Sequence, residues 1–172
     1  MAVGYANSSR VARKQLLLRG LQMTLRHPVF GVGVGNFVPA EAHQTQEEGR
    51  RAAWHENHNT FLQISSETGI PGLILYLCAL GYCIKSTYSI YRRSRGDARL
   101  LDINRLAFCL FLSLLCWTMG AFFDSQGYRF DFPMLAGVSG AFVVAASNEM
   151  RRRGPAVAPS PEPLARPAPI RV

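Results

Sequence analysis

The chain has 172 residues, 48% of them apolar, and a formal net charge of +8. That length argues for a single domain. The basic balance would suit nucleic acid, but the cations stand beside uncharged apolar runs and not on a polar face with interleaved aromatics. The charge pattern therefore excludes nucleic acid as the partner and points to a membrane.

In chain order, Ser8–Arg26 is predicted to be an amphipathic helix. Ser8 or Ser9 is placed to cap it, and Leu17, Leu18, Leu21 and Leu25 recur at three- and four-residue spacing. Its basic residues, Arg10 among them, are either solvated on a helix lying at a membrane interface or placed to bind phosphate. His27-Pro28 ends the helix, because a residue before proline is pushed out of the α region. The following Gly31-Val32-Gly33-Val34-Gly35 is not a nucleotide loop. No strand–turn–helix unit surrounds it, and its third glycine comes one residue early. Glycines at alternate positions instead suit tight turns packed closely on other helices. The polar stretch Pro39–Arg51 reads as a mobile helix or loop of the kind that covers a site, with His43 solvated.

Trp54–Gln63 is a polar, histidine-bearing run that leads directly into an apolar one. His55 and His58 stand three apart. The zinc protease pattern needs its second histidine four residues on, where Asn59 stands, so no metal is expected. His58 is either a capping residue at a helix start or a titratable ring held at a membrane boundary for catalysis.

Ile70–Ile84, Leu106–Phe123 and Phe132–Asn148 carry no charge. Each approaches the ~20 residues needed to cross a ~30 Å hydrocarbon core. Pro71 near the first turn of the first run is tolerated, because that N–H has no helical partner in any case. The expected fold is thus mainly α: an extracytoplasmic helical and loop segment over 1–68, then three transmembrane helices at about 69–91, 105–123 and 132–148. Arg92, Arg93, Arg95, Arg99 and Arg105 follow the first run, and Arg151–Arg153 follow the third. By the positive-inside rule these ends are cytoplasmic, and residues 1–68 and the 124–131 link are outside. In that link Asp124, Gln126, Tyr128, Arg129 and Asp131 share a side with His58. In the third run Gly137, Gly140, Ala141, Ala145 and Ala146 offer a small-residue face for close helix contact. All four cysteines fall within the runs and read as apolar packing residues, not as disulfides or a redox pair. Residues 151–172, basic and then proline-rich, read as a disordered cytoplasmic tail.

Two motifs carry a family resemblance. His58-Asn59, nine residues, then Gly69-Ile70-Pro71-Gly72 resembles the His-Asn-x9-Gly-x-x-Gly signature of the O-antigen ligase and polymerase superfamily. Upstream, His27-Pro28-Val29-Phe30-Gly31-Val32-Gly33-Val34-Gly35-Asn36-Phe37 resembles a second segment of the same family. The likeness covers about residues 8 to 91, and beyond that only the hydrophobic pattern continues it. Leu73 stands where the family often has a small residue, proline or threonine. The resemblance implies the C-terminal part of a multi-span GT-C-like transferase of the bacterial inner membrane, with further membrane helices before this stretch. Met1–Asn7 does not form a cleavable signal peptide, in keeping with that expectation.

Family members move a glycan from undecaprenyl diphosphate to an acceptor hydroxyl, on lipid A–core or on a growing polysaccharide, without cofactor or metal. Carried over, His58 is the general base and Arg10 grips the diphosphate. Asn59 and Arg129 are expected to bind substrate, and Gly31, Gly33, Gly69 and Gly72 shape the motif. A sugar hydroxyl is a poor nucleophile, so a base near neutrality helps, and a guanidinium suits a diphosphate leaving group. Attack opposite the diphosphate would invert the anomeric centre. The alternative is a truncated, non-catalytic membrane remnant, or a subunit that needs a missing N-terminal half.

Overall fold

A computed structural model describes residues 2–47, 49 and 58–154, with side chains from Lys14 onward. The described residues form five α-helices and no strand: α1 (Ala2–Arg26), α2 (Phe37–Glu47), α3 (Thr60–Ser94), α4 (Leu101–Ala121) and α5 (Asp131–Arg153). A 3-10 turn, Ala98–Leu100, leads into α4. His55 and the 155–172 part of the expected tail lie outside the described residues.

α1 starts earlier than the serines predicted, so Ser8 and Ser9 lie within the helix and do not cap it. Nothing between Ala2 and Ser8 forbids helix, and the chain continues through. The buried side of α1 also differs from the leucine stripe. Leu16, Met23 and Thr24 are buried, whereas Leu17, Leu18, Leu21 and Leu25 are 41–68% exposed. The Thr24 hydroxyl meets that of Ser65 at 3.0 Å, which docks α1 onto α3 through a polar contact. The outward leucines form the apolar face that an interfacial helix would present to lipid.

α1 ends where the proline rule places its end, with the His27 N–H bonded to the Met23 carbonyl at 2.9 Å. The polar stretch folds as α2, and His43 is exposed there, 3.3 Å from the Glu47 carboxylate. Arg19 of α1 reaches Glu41 of α2 at 3.0 Å and also bonds Thr45, so a mostly buried ion pair ties the two helices together.

α3 is one helix broken at Gly69, which has φ 77° and ψ −176°. Pro71 thus falls in the first turn after the break, where it removes no helical hydrogen bond. From Ile70 to Ser94 the helix rises roughly 37 Å at about 1.5 Å per residue. α4 returns alongside it. Aromatic rings fill the seam near the Gly69 end: Tyr76 lies 4.8 Å from Phe132, Trp117 stacks on Phe132 at 5.1 Å, and Phe61 lies 4.8 Å from Phe122. At the other end Ile90, Ala107 and Ala146 form the core.

Two helices, Thr60–Ser94 and Ala98–Ala121, are long and apolar enough to cross a membrane. The third expected span, 132–148, falls on α5, which has the length but not the apolar character of the other two. Ser139, Ser147, Asn148 and Glu149 dilute it. Nor does α5 pack through its small-residue face. Phe132, Ser139 and Ala146, seven residues apart, form its buried seam, while Gly137, Gly140, Ala141 and Ala145 face outward. The four cysteines are free; Cys83 packs inside, and Cys78, Cys109 and Cys116 are on the exposed apolar surface.

Candidate functional site

The two sequence motifs meet at the Gly69 break. The Ile70 N–H donates to the Pro28 carbonyl at 2.8 Å, the Val32 N–H to Ser66 at 2.8 Å, and the Gly33 N–H to Glu67 at 3.0 Å. Backbone is packed on backbone here. A Cβ on Gly69 would stand 2.5 Å from the Val29 carbonyl oxygen, and one on Gly31 would stand 2.3 Å from the Glu67 carbonyl carbon. Both residues also hold positive φ, so glycine is required twice over. A Cβ on Gly33 would meet the Asn36 amide at 2.8 Å, and one on Gly72 would overlap the Thr68 hydroxyl.

Glu67 lies at the centre of this junction and is only 2% exposed. One carboxylate oxygen accepts from the Gly35 N–H at 2.9 Å, the other from the Phe37 N–H at 3.0 Å. The carboxylate therefore sits at the N-terminus of α2, where the helix dipole favours an anion. Tyr128, from the link between α4 and α5, also reaches Glu67. Burial first, and this pairing second, push the Tyr128 phenol above its ordinary range. Sequence reading passed over Glu67. The available signal was a lone carboxylate in a run otherwise free of charge until Lys85, since a buried charge persists only when it is hydrogen-bonded.

His58 stands just before α3, exposed, with φ 44°. Positive φ is uncommon outside glycine and marks a position held by its surroundings. Asn59 follows as the N-cap: its Oδ1 accepts from the Leu62 N–H at 2.9 Å, and its Nδ2 donates to the Phe122 carbonyl at 3.2 Å. The next turns of α3 hold the α4–α5 link in the same way. The Thr60 hydroxyl donates to the Asp124 carbonyl at 2.7 Å and accepts from the Gln126 N–H at 2.9 Å. The Gly127 N–H reaches the Gln63 amide oxygen at 3.3 Å. The link is thus fastened to the residues immediately after His58.

Asp124 is held below its usual range. Its bond from the Gln126 amide contributes most, its bond from the Ser125 N–H adds to it, and the charges of Arg129 and His58 add less. Arg129 spans Asp124 at 3.7 Å and Asp131 at 3.2 Å and is 61% exposed. The structure therefore brings His58, Asn59, Asp124 and Arg129 to one end of the bundle. Arg10 lies on α1, and its side chain is outside the described residues.

Below Asn59 an apolar groove of about 610 Å³ runs between α1, α3 and α4. Leu21, Leu62, Leu73, Leu77, Leu80 and Phe122 line it, and Thr24, Asn59, Ser65 and Thr118 supply its polar groups. No group of three or more His, Cys, Asp or Glu residues among the described ones is arranged to hold a metal ion.

The described residues thus combine two membrane-length helices with an apolar groove that Asn59, at the N-terminus of α3, helps to line. Residues 2–77 match the O-antigen ligase family, a stretch that contains both motifs and the Gly69 junction, and this match supports an O-antigen ligase-like family member. No curated protein and no solved structure matches it.

Proposed function

We propose that the chain serves a glycosyltransferase of O-antigen ligase type. It takes a glycan from undecaprenyl diphosphate and passes it to a hydroxyl of lipid A–core or of a growing polysaccharide. The observation that carries this reading is that Asn59, the residue next to His58, lines a lateral apolar groove. A polyprenyl tail in that groove would leave its diphosphate and first sugar beside the imidazole.

In this reading His58 takes the proton of the acceptor hydroxyl as that oxygen attacks the anomeric carbon. The bond to the diphosphate breaks on the opposite face, and the configuration inverts. Arg10 binds the departing diphosphate, Asn59 and Arg129 contact the glycan, and no metal takes part. Asn59 would do so from its role as helix cap, and Arg129 from its pairing with Asp124 and Asp131. The site end faces the periplasm, α3 and α4 cross the inner membrane with α5 as a third span, and the Arg151–Arg153 end is cytoplasmic.

The test is transfer from lipid-linked glycan in membranes of the source cells, with wild type against His58→Ala at equal expression. General-base catalysis is worth about 10²–10⁴-fold, so transfer should fall by that order. Retained transfer would overturn the base assignment. For Arg10→Ala, weaker donor binding is expected, and unchanged donor affinity would return Arg10 to a solvated helix face.

A further inference from the structure

The far end of α3 carries a second concave site. Lys85, Tyr88, Ser89, Arg92 and Arg93 line a groove of about 440 Å³. Their spacing of three and four residues places them along one face of the helix. Tyr88 forms a fixed wall, because its ring packs 5.2 Å from Phe111 of α4 and 6.1 Å from Tyr91.

The depth of Lys85 is informative. From Pro71 the helix climbs roughly 21 Å to Lys85 and about 10 Å more to Arg92, against a hydrocarbon core of about 30 Å. Lys85 thus starts below the headgroup layer and must extend its stem toward it. A cation at that depth is costly without a counter-charge. The chain supplies none among the described residues. Asp97 accepts the Arg99 N–H at 2.9 Å, Glu149 pairs with Arg153 at 2.7 Å, and Asp102 opens α4. None of the three forms an ion pair with Lys85, Arg92 or Arg93.

Ser89 adds an independent sign. Every other serine and threonine of α3 has a hydrogen-bond partner; Ser86, Thr87 and Ser94, for example, bond back to helix carbonyls. The half-buried Ser89 hydroxyl makes no hydrogen bond among the described residues. It opens onto the groove between Lys85 and Arg92 as a free donor.

We propose that this groove binds the phosphate of an anionic phospholipid of the adjoining leaflet. Lys85 and Arg92 hold the phosphate from below and above, Ser89 donates to it, and the glycerol backbone lies along Tyr88. Free phosphate shares the chemistry, but the depth of Lys85 and the helix's apolar surroundings favour a ligand that arrives through the bilayer. The site lies at the opposite end of α3 from His58 and stands or falls independently of the transfer reaction.

The experiment uses the full chain reconstituted in vesicles of phosphatidylcholine and phosphatidylglycerol in equal amounts. Spin-labelled copies of each lipid report the fraction immobilised on the protein. Wild type should hold phosphatidylglycerol over phosphatidylcholine, and Lys85→Gln with Arg92→Gln should lose about fivefold of that preference per cation. Ser89→Ala, which leaves the charges in place, should lower it further than a neutral surface change and keeps the test valid if the double variant misfolds. Equal immobilisation of the two lipids by wild type would overturn the proposal. So would a helical double variant, or a Ser89→Ala variant, with undiminished preference. Loss of the preference on adding inorganic phosphate at constant ionic strength would assign the groove to free phosphate and overturn the lipid assignment.

Discussion

Glu67→Ala removes the carboxylate that joins α3 to the start of α2. The two bonds it accepts, at 2.9 and 3.0 Å, are charge-assisted and buried, and each such bond is worth about 1.5–3 kcal/mol. The alanine variant also leaves the Gly35 and Phe37 N–H groups without their acceptor and an anion missing from the α2 dipole. Water entering the vacated space recovers part of the loss, so a net cost of about 3 kcal/mol is expected, most of it local to the 31–47 region. The assay is amide hydrogen exchange in detergent or nanodiscs. The Phe37 amide and the first turn of α2 should exchange roughly a hundredfold faster, since each 1.36 kcal/mol is a factor of ten. Amides of Ile90 and Ala107, in the core at the far end, should be unchanged. Glu67→Gln keeps one acceptor oxygen but points an NH2 at a backbone N–H, so it should fall between wild type and alanine. Unchanged exchange at Phe37 in Glu67→Ala would refute the claim that this carboxylate holds the junction.

Three further outcomes are expected. Gly69→Ala places a methyl 2.5 Å from the Val29 carbonyl at a φ of 77°, so thermal unfolding in detergent should show a loss of at least about 2 kcal/mol; a neutral substitution would refute the close approach. Thr60→Val removes the hydroxyl that both donates to Asp124 and serves Gln126, and should cost about 1–3 kcal/mol and raise exchange across 124–127, whereas unchanged protection there would count against the fastening. The raised Tyr128 phenol means that its neutral form favours the fold. That stability is fully present below the unfolded value of about 10 and is lost as pH rises through the higher folded value, so melting above pH ~10 should fall in wild type. Tyr128→Phe should remove this part of the pH dependence, and an identical alkaline profile would sink the assignment.

Much of the helical plan is written in local pattern. Uncharged runs located α3 and α4, because a segment that crosses hydrocarbon must exclude charge along its whole length. His27-Pro28 marked the end of α1 and Pro71 the start of the helix beyond Gly69, since proline's restrictions act on immediate neighbours. The order of the two motifs was also legible. The buried face of α1 was not, because the leucine stripe and the Leu16–Met23–Thr24 stripe both repeat at helical spacing. Which one turns inward depends on Ser65, 41 residues from Thr24.

The sequence by itself thus determined that α3 and α4 are helical and apolar enough for a membrane, and that a histidine run leads into the first of them. Only the tertiary structure decided that Glu67 is a buried latch and not a surface charge. It alone showed that Asn59 and Thr60 hold the 122–126 link, and that Gly137, Gly140, Ala141 and Ala145 of α5 face away from the bundle. The Glu67 latch and the fastened link rest on hydrogen bonds between groups some 30 to 66 residues apart. Helix periodicity reports which side chains share a face, but the partner that each face meets is set by how the whole chain closes on itself.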